Sequence, residues 1–583
     1  MHGPCSLLTA DLGSRTCGVL RLPEETLRLF PGGRGLAGHL LRPSAHLPWD
    51  HPDMPVLVLA GPLSGTEAPC SSRCHLVSRS PLTGAFGDDA VGGGLGLELA
   101  RAGFLGVLLT GKSPAPLGLE IRDGHARLVD AAALHGKTTD NVFAALADWG
   151  SAACVGPAAE HGVRFASVQV DRLFSAGRGG LGLCLAAKGL KYLAVSGSGA
   201  VPVHDPKGLA AARADIERLF HASPVLRGPQ GFGRFGTAAL LDLTQSRSMI
   251  PTENFRHTRC PGIKRCNAPA LAARFGFQPA ACPDCPIGCA RQDGHGRALP
   301  GIEALSQFTA LLGLNDPDLA VEALDLCGKL GLDPVSAAGS LAAWAEITGQ
   351  KPTAWTVLNL LEDMALGHGD GALLGQGAQA LARELKRPEA AMTVKGLELS
   401  AFDPRGACGL ALGYAVSTRG ACPWRALSLG HELLRKPVPT ERFSWSGKAR
   451  MVKLGEDALA TAESLPVCRL TLFAAGLEEY AKALAAVTGV PATAQDMARL
   501  GERVVYQERL INAALGFSAG DDDLPGRFFR EPGDPGQGFE TPPLDRAAFL
   551  EARARYYRVR GLDENGLPVR DKAEELGLTW TVS

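Results

Sequence analysis

Through roughly the first third of the chain, apolar positions come in runs of four or five, at 56–60, 75–78, 106–109, 117–121 and 192–195, each bounded by glycine, proline or polar turn residues. Runs of that length predict strands, because a buried helix needs ten or more positions to show its period. Between them lie three glycine loops, Pro31-Gly-Gly-Arg-Gly35, Gly92-Gly-Gly94 and Ala176-Gly-Arg-Gly-Gly180, where backbone amides can approach an anionic group. From Asp205 the period changes. Asp205-Pro206 sets an N-cap with proline at the first helical position, followed by Leu209, Ala212, Ile216 and Leu219 at helical spacing. Asp316-Pro317 and Asp333-Pro334 repeat the device, and 494–515 is a late amphipathic helix. The proline- and glycine-rich stretch 525–543 predicts a surface loop, and no short tandem repeat is visible. The expected fold class is α+β, a β-rich front followed by a helical rear.

At 583 residues the chain has material for three or four domains of ~100–200 residues. Its 59 basic and 60 acidic side chains balance to a net charge of −1, so no overall field concentrates nucleic acid or anionic lipid. Its apolar stretches fall short of the ~20 residues of a membrane span. Glycine, at 72 residues, is enriched, which fits either a bulky ligand close to backbone or a GC-rich genome. Fifteen cysteines, an odd number, with no basic and apolar leader at the start, predict a reduced, cytoplasmic protein.

The densest chemical signal is Cys282-Pro-Asp-Cys285-Pro-Ile-Gly-Cys289. A C-x2-C-x3-C triplet on a tight turn lets one loop wrap three corners of a metal centre, the fourth ligand arriving from elsewhere. Iron–sulfur is favoured over zinc, which usually takes two knuckles where this chain has one C-x2-C pair. Unligated structural cysteines are the remaining alternative. Cys260 and Cys266 read as core or loop thiols, and Cys468, in an apolar stretch, reads from its surroundings alone as a buried thiol.

Colinear segments along most of the chain resemble the aldehyde:ferredoxin oxidoreductase family of tungsten- or molybdenum-pterin enzymes. They are Gly32-Gly-Arg-Gly-Leu-Ala37, Gly61-Pro-Leu-Ser-Gly-Thr66, Ser80-Pro-Leu-Thr-Gly84, Ser175-Ala-Gly-Arg-Gly-Gly-Leu-Gly182, the cysteine triplet, Asp403-Pro-Arg-Gly406 and Arg555-Tyr-Tyr557. The resemblance implies a β-rich pterin-platform domain at 1–203, a helical domain with the triplet at 204–410 and a helical C-terminal domain at 411–583. It implies a [4Fe–4S] cluster on Cys282, Cys285, Cys289 and Cys468, and a tungsten or molybdenum bis-pterin, with magnesium as a candidate bridge between the pterin phosphates. Arg73 would lie between a pterin and the cluster. Gly92, Ser175, Gly177, Arg178, Arg419, Glu463 and Val467 fall at pterin-contacting positions, and Glu303 at that of an acid–base glutamate. The implied reaction takes an aldehyde and water to a carboxylic acid, passing electrons to a ferredoxin or a similar subunit, with a homodimer as one open assembly.

Several positions depart from the family pattern. Pro423 stands where a histidine usually accompanies the glutamate, and proline can neither donate a hydrogen bond nor move a proton. Two Asp-x-x-Gly-Leu motifs read Gly328-Lys-Leu-Gly331-Leu332 and Glu463-Ser-Leu-Pro466-Val467. Asp171-Arg-Leu-Phe174 replaces a segment ending in arginine, leaving Arg172 as the candidate substitute if it turns inward. Glu322-Ala-Leu-Asp325 lacks the histidine of an interfacial iron site. The expected function is a pterin- and cluster-dependent oxidoreductase acting on a small carbonyl or carboxylic substrate. The alternatives are an iron–sulfur electron carrier or structural subunit with an altered pterin site, and a zinc-stabilised helical protein without redox chemistry.

Overall fold

A computed structural model describes residues 5–580. Its front portion holds twelve strands in two six-stranded sheets: β1 (Ser6–Asp11), β2 (Thr16–Arg21), β3 (Val56–Leu59), β4 (Cys74–Arg79), β5 (Phe86–Val91), β6 (Gly106–Thr110), β7 (Leu117–Arg122), β8 (His125–Asp130), β9 (Ser151–Val155), β10 (Val168–Val170), β11 (Phe174–Ala176) and β12 (Leu190–Ser196). The five apolar runs fall on β3, β4, β6, β7 and β12, the first running one residue past the end of β3. β3 is buried at all four positions, which is why it reads as unbroken Val-Leu-Val-Leu, whereas β2 is exposed throughout and lies at a sheet edge.

The first sheet runs β2-β1-β6-β3-β4-β5 and the second, read from its other edge, β8-β7-β12-β9-β10-β11. Adding six to each strand number of the first gives the second. Pairing sense repeats as well: β1 with β6 and β7 with β12 are parallel, while the other neighbours are antiparallel. In each half the edge strand, β5 or β11, leads through a glycine loop into a short helix, Leu95–Arg101 or Leu181–Ala187, and then back to the parallel strand. This duplication of roughly a hundred residues leaves no tandem repeat in the sequence, since each half has its own buried partners.

Helices dominate from Pro206 onward. Asp205, Asp316 and Asp333 cap the helices Pro206–Ala222, Pro317–Leu330 and Pro334–Thr348, each carboxylate accepting first-turn amides as the Asp-Pro pairs predict. Lys448–Ser464 packs on both Ala494–Ala514 and Arg546–Arg560. The stretch 525–543 lies largely at the surface, as expected, but is anchored, because its buried Arg527 pairs with Glu346 and its Asp534 accepts the amides of Thr258 and Arg259. Among the described residues no helix is long and apolar enough to cross a membrane.

Candidate cofactor and cluster site

The cysteine triplet sits at the tip of a small hairpin, β13 (Gln278–Ala280) paired with β14 (Ala290–Gln292). Cys285 N–H bonds Cys282 O at 3.2 Å, and Gly288, at φ +56°, supplies the left-handed turn that brings Cys289 round. Gly93 N–H points at Cys282 Sγ, 3.4 Å away. Cys468 caps the 3-10 turn Arg469–Phe473, and its own amide bonds Cys70 O at 3.0 Å. The four expected ligands thus meet around one cavity of about 140 Å³ despite the long separation of Cys468 in sequence.

Among the described residues, one set of three or more ligand side chains has its donor atoms all within 4.8 Å of one another, and it is His75, Asp88 and Glu463. The four thiols therefore stand too far apart for one tetrahedral ion, while a polynuclear cluster spans wider corners. Sequence reasoning missed a fifth thiol here: Cys70 Sγ lies 3.6 Å from Cys285 Sγ. Its hydrogen bond brings Cys285 down to about 6, whereas burial pushes Cys282 up to about 11 and Cys289 to about 12.

A second cavity, of about 610 Å³, adjoins the first, and the two share Arg73, Phe174, Cys289 and Ala290. Seven expected residues line it: Arg73, Gly92, Ser175, Gly177, Arg178, Arg419 and Glu303. Burial opposes the charge on Arg73, but the sulfurs of Cys468, Cys282 and Cys289 hold it protonated. Arg178 is aimed by Asp333 at 3.2 Å and by Glu398 O at 2.6 Å; Arg419 donates to Asp88 O at 2.6 Å and Asp89 Oδ1 at 3.2 Å. A Cβ at Gly177 would meet Asp333 Oδ1 at 3.2 Å, and one at Gly92 would meet Phe174 and Cys282 Sγ at 2.7 and 2.8 Å. Gly92 thus needs glycine for close packing, whereas at Gly177 the Asp333 side chain would have to give way slightly. Glu303 begins the helix Ile302–Phe308, and Ser400 Oγ donates to its Oε1 at 2.6 Å.

The residues present fit a phosphate-bearing, ring-shaped ligand. The volume falls within the usual range for ligand cavities, glycine loops form part of the wall, and guanidiniums converge on it. Two buried donors, Arg419 Nε and Trp424 Nε1, have no partner among the described residues.

Glu463 and Val467 line neither cavity. Glu463 instead accepts from Arg34 at 3.0 Å and lies 3.3 Å from Arg425, which also pairs with Asp88. Arg34 further grips Glu508 at 2.6 and 2.7 Å, and His75 Nε2 is 2.9 Å from Asp88. Burial alone would raise Glu463, but Arg425 and Arg34 hold it below the ordinary carboxylate range. Its motif therefore presents its carboxylate to arginines; Val467 is packed behind, its amide bonded to Ala462 O at 2.8 Å.

Of the departing positions, Arg172 does reach the cavity, 3.7 Å from Asp140, and Gly328 lies in the wall. Beside Pro423, Trp424 fills the wall, and an unforeseen imidazole, His295, lines the cavity from the loop after β14. Asp325 lines it too, bonded to Lys329 at 2.6 Å. Cys260, as expected, stays apart, its Sγ 3.2 Å from Asn315 Oδ1. The missed wall residues lie beside recognised ones: His295 and Arg297 just past the triplet, Arg469 next to Cys468.

Comparison with known proteins gives a consistent picture. The chain matches the families described as "Aldehyde ferredoxin oxidoreductase, N-terminal domain" over residues 7–197 and "Aldehyde ferredoxin oxidoreductase, domains 2 & 3" over 211–578. It is 35% identical to a tungsten-containing aldehyde ferredoxin oxidoreductase of Pyrococcus furiosus, and 33% identical to one of Thermococcus kodakarensis. Each alignment covers 98% of this chain and 98% of the relative. The solved active-site complex BamBC of benzoyl coenzyme A reductase, with 1,5-dienoyl-CoA, shares the fold at a TM-score of 0.85 and 19% identity. That superposition covers 99% of this chain and 98% of the other.

Proposed function

This chain belongs to the aldehyde ferredoxin oxidoreductase family, and from that premise we propose that it oxidises a small carbonyl compound on a tungsten-pterin and passes the electrons out through an iron–sulfur cluster. The observation that carries the reading is the shared wall. A cavity lined by five thiols, the four expected ligands and Cys70, adjoins a glycine- and arginine-lined cavity, with Arg73 facing both. When bound, the metal-pterin supplies the two-electron redox change and the cluster supplies one-electron steps toward a ferredoxin-type acceptor.

The chain's own residues do the rest. Arg73, Arg178 and Arg419 would hold anionic groups of the pterin with the donors that their protein partners leave over, and the backbone at Gly92, Ser175 and Gly177 would give it room. Glu463 stands behind this wall and acts by fixing Arg425 and Arg34, with Val467 as packing. Glu303 is the acid–base group. Ser400 holds Oε1, and Oε2, which makes no hydrogen bond with a described residue, is free to exchange a proton with substrate or water. Aldehyde and water give a carboxylic acid, two protons and two electrons; Glu303 handles one of those protons. Cys282, Cys285, Cys289 and Cys468 are the cluster ligands, and Cys70 is outside that set.

Metal analysis of anaerobically purified protein tests this. About four irons per tungsten, or per molybdenum, are expected, with pterin released on denaturation. Iron without a pterin metal would overturn the catalytic reading in favour of an electron carrier, and zinc alone would overturn both. Cys282→Ala should abolish the iron signal and Cys70→Ala retain it.

A further inference from the structure

The larger cavity carries several cations, and nearly all are matched. Arg172, Arg178, Arg419 and Lys329 each have a carboxylate at 3.7, 3.2, 3.2 and 2.6 Å respectively. Arg297 pairs with Asp293 at 3.1 Å, Arg291 spends its donors on backbone carbonyls of Phe232, Arg234 and Gly288, and Arg73 faces the cysteine sulfurs. Arg469 is different. It lines the cavity, half-buried, and its guanidinium makes no ion pair or hydrogen bond with a described residue. Its contact is with the Trp424 ring, whose centroid lies 5.0 Å from its Cζ.

That contact places Arg469 toward the substrate end. Trp424 packs edge-on against Phe402, with ring centroids 5.9 Å apart, and two residues before Phe402, Ser400 holds Glu303. A chain of buried contacts behind the wall, through Phe402 and Ser400, thus joins the acid–base carboxylate to the guanidinium over Trp424. Arginine laid on an aromatic face keeps its planar fork ordered, so less freedom is lost when a carboxylate docks. A guanidinium held in a partly closed cavity without an anion gains most from a ligand that brings one.

Resting on the oxidoreductase reading above, we infer that Arg469 selects substrates that carry an anionic group, so that the natural carbonyl compound is an oxo-carboxylate or a comparable anionic aldehyde. The carboxylate docks on Arg469 over Trp424, and the carbonyl end is left for the reaction beside Glu303.

The test compares holoenzyme with Arg469→Leu and Arg469→Lys on two aldehydes of equal length, one ending in a carboxylate and one in a methyl group. In Arg469→Leu the kcat/KM ratio of anionic to neutral substrate should fall about 10- to 100-fold, chiefly through KM, with Arg469→Lys in between because it keeps charge but loses the fork. An equal loss on both substrates overturns the proposal. So does loss of tungsten or pterin from Arg469→Leu, which would make Arg469 a cofactor-holding residue. Titration of succinate against Trp fluorescence separates this proposal from the oxidoreductase reading. If wild type oxidises neither aldehyde, that reading fails, yet succinate should still bind about tenfold or more tighter to wild type than to Arg469→Leu. Equal succinate binding overturns the role of Arg469 whatever the activity.

Discussion

The two six-stranded sheets repeat one topology, but the buried carboxylates gathered near each of them end in opposite states. Behind β4 and β5, Asp88 and Glu463 share Arg425, Arg34 reaches both, and guanidinium charge outweighs the cost of burial, so both carboxyls are held below their ordinary values. Near β11, Asp333 and Glu398 are bridged by the Ser336 hydroxyl at 2.8 and 2.6 Å, with Arg178 as the one nearby guanidinium, and burial pushes both up. Burial is complete in each place, so the sign is decided by how many guanidiniums each carboxylate can reach. Asp88 and Glu463 are closed around by arginines behind the cavity, whereas Asp333 lies in the cavity wall with Arg178 beside it.

Arginine deletion gives the largest expected contrast. Arg34 is 1% exposed and engages three carboxylates, so Arg34→Met should strand buried charge and cost about 3–5 kcal/mol in urea unfolding. Arg178→Met, at the cavity wall where removal of the guanidinium would open Asp333 to the cavity, should cost about 1–2 kcal/mol and show itself more in lost pterin. Equal losses would erase the distinction between the halves.

Much of this was readable in the residues. The Asp-Pro pairs announce their helices because cap and first-turn chemistry are local. The apolar strands announce themselves because both faces are buried, and the cysteine triplet because one turn carries three ligands. β5 was not readable: Phe-Gly-Asp-Asp-Ala-Val is a poor strand by composition, and what makes it one is Arg34, Arg419 and Arg425, distant in sequence. Glu463 matched its motif by position, but position alone did not reveal its protein partners, Arg34 and Arg425, both distant in sequence. Cys70 lies three residues before Arg73, but without a spacing rule to the triplet its thiol carried no signal.

The paired glycine loops give a middle-sized contrast. Gly180 has φ +81°, and a Cβ there would sit 2.0 Å from the Arg164 carbonyl oxygen; at Gly93, φ +96°, the nearest atom is the end of the Asp171 side chain, 2.7 Å away. Left-handed backbone costs an L-residue about 1–2 kcal/mol in either loop, but only the side chain can swing aside. Gly180→Ala should therefore lower thermal stability by about 2–4 kcal/mol and Gly93→Ala by about 1–2 kcal/mol. The reverse order would mean that the second loop is the more adaptable of the two.

The smallest effect, and the most direct reading of the opposed carboxylates, is the pH dependence of stability. Asp88 binds its proton less tightly folded than unfolded, so its contribution is complete above the unfolded value near 3.8 and is lost as pH falls through the folded one. Asp333 binds its proton more tightly folded, so its contribution is complete below about 3.8 and is lost as pH rises through the raised value. Urea unfolding of Asp88→Asn across pH should therefore flatten the acid limb below about pH 4, leaving the region above it parallel to wild type. Asp333→Asn, which keeps an acceptor for the Val335 and Ser336 amides, should leave the acid limb and flatten the decline above pH 4. If both variants flatten the same limb, the two sites hold their carboxylates alike, and reach to guanidinium does not set the sign of the shift.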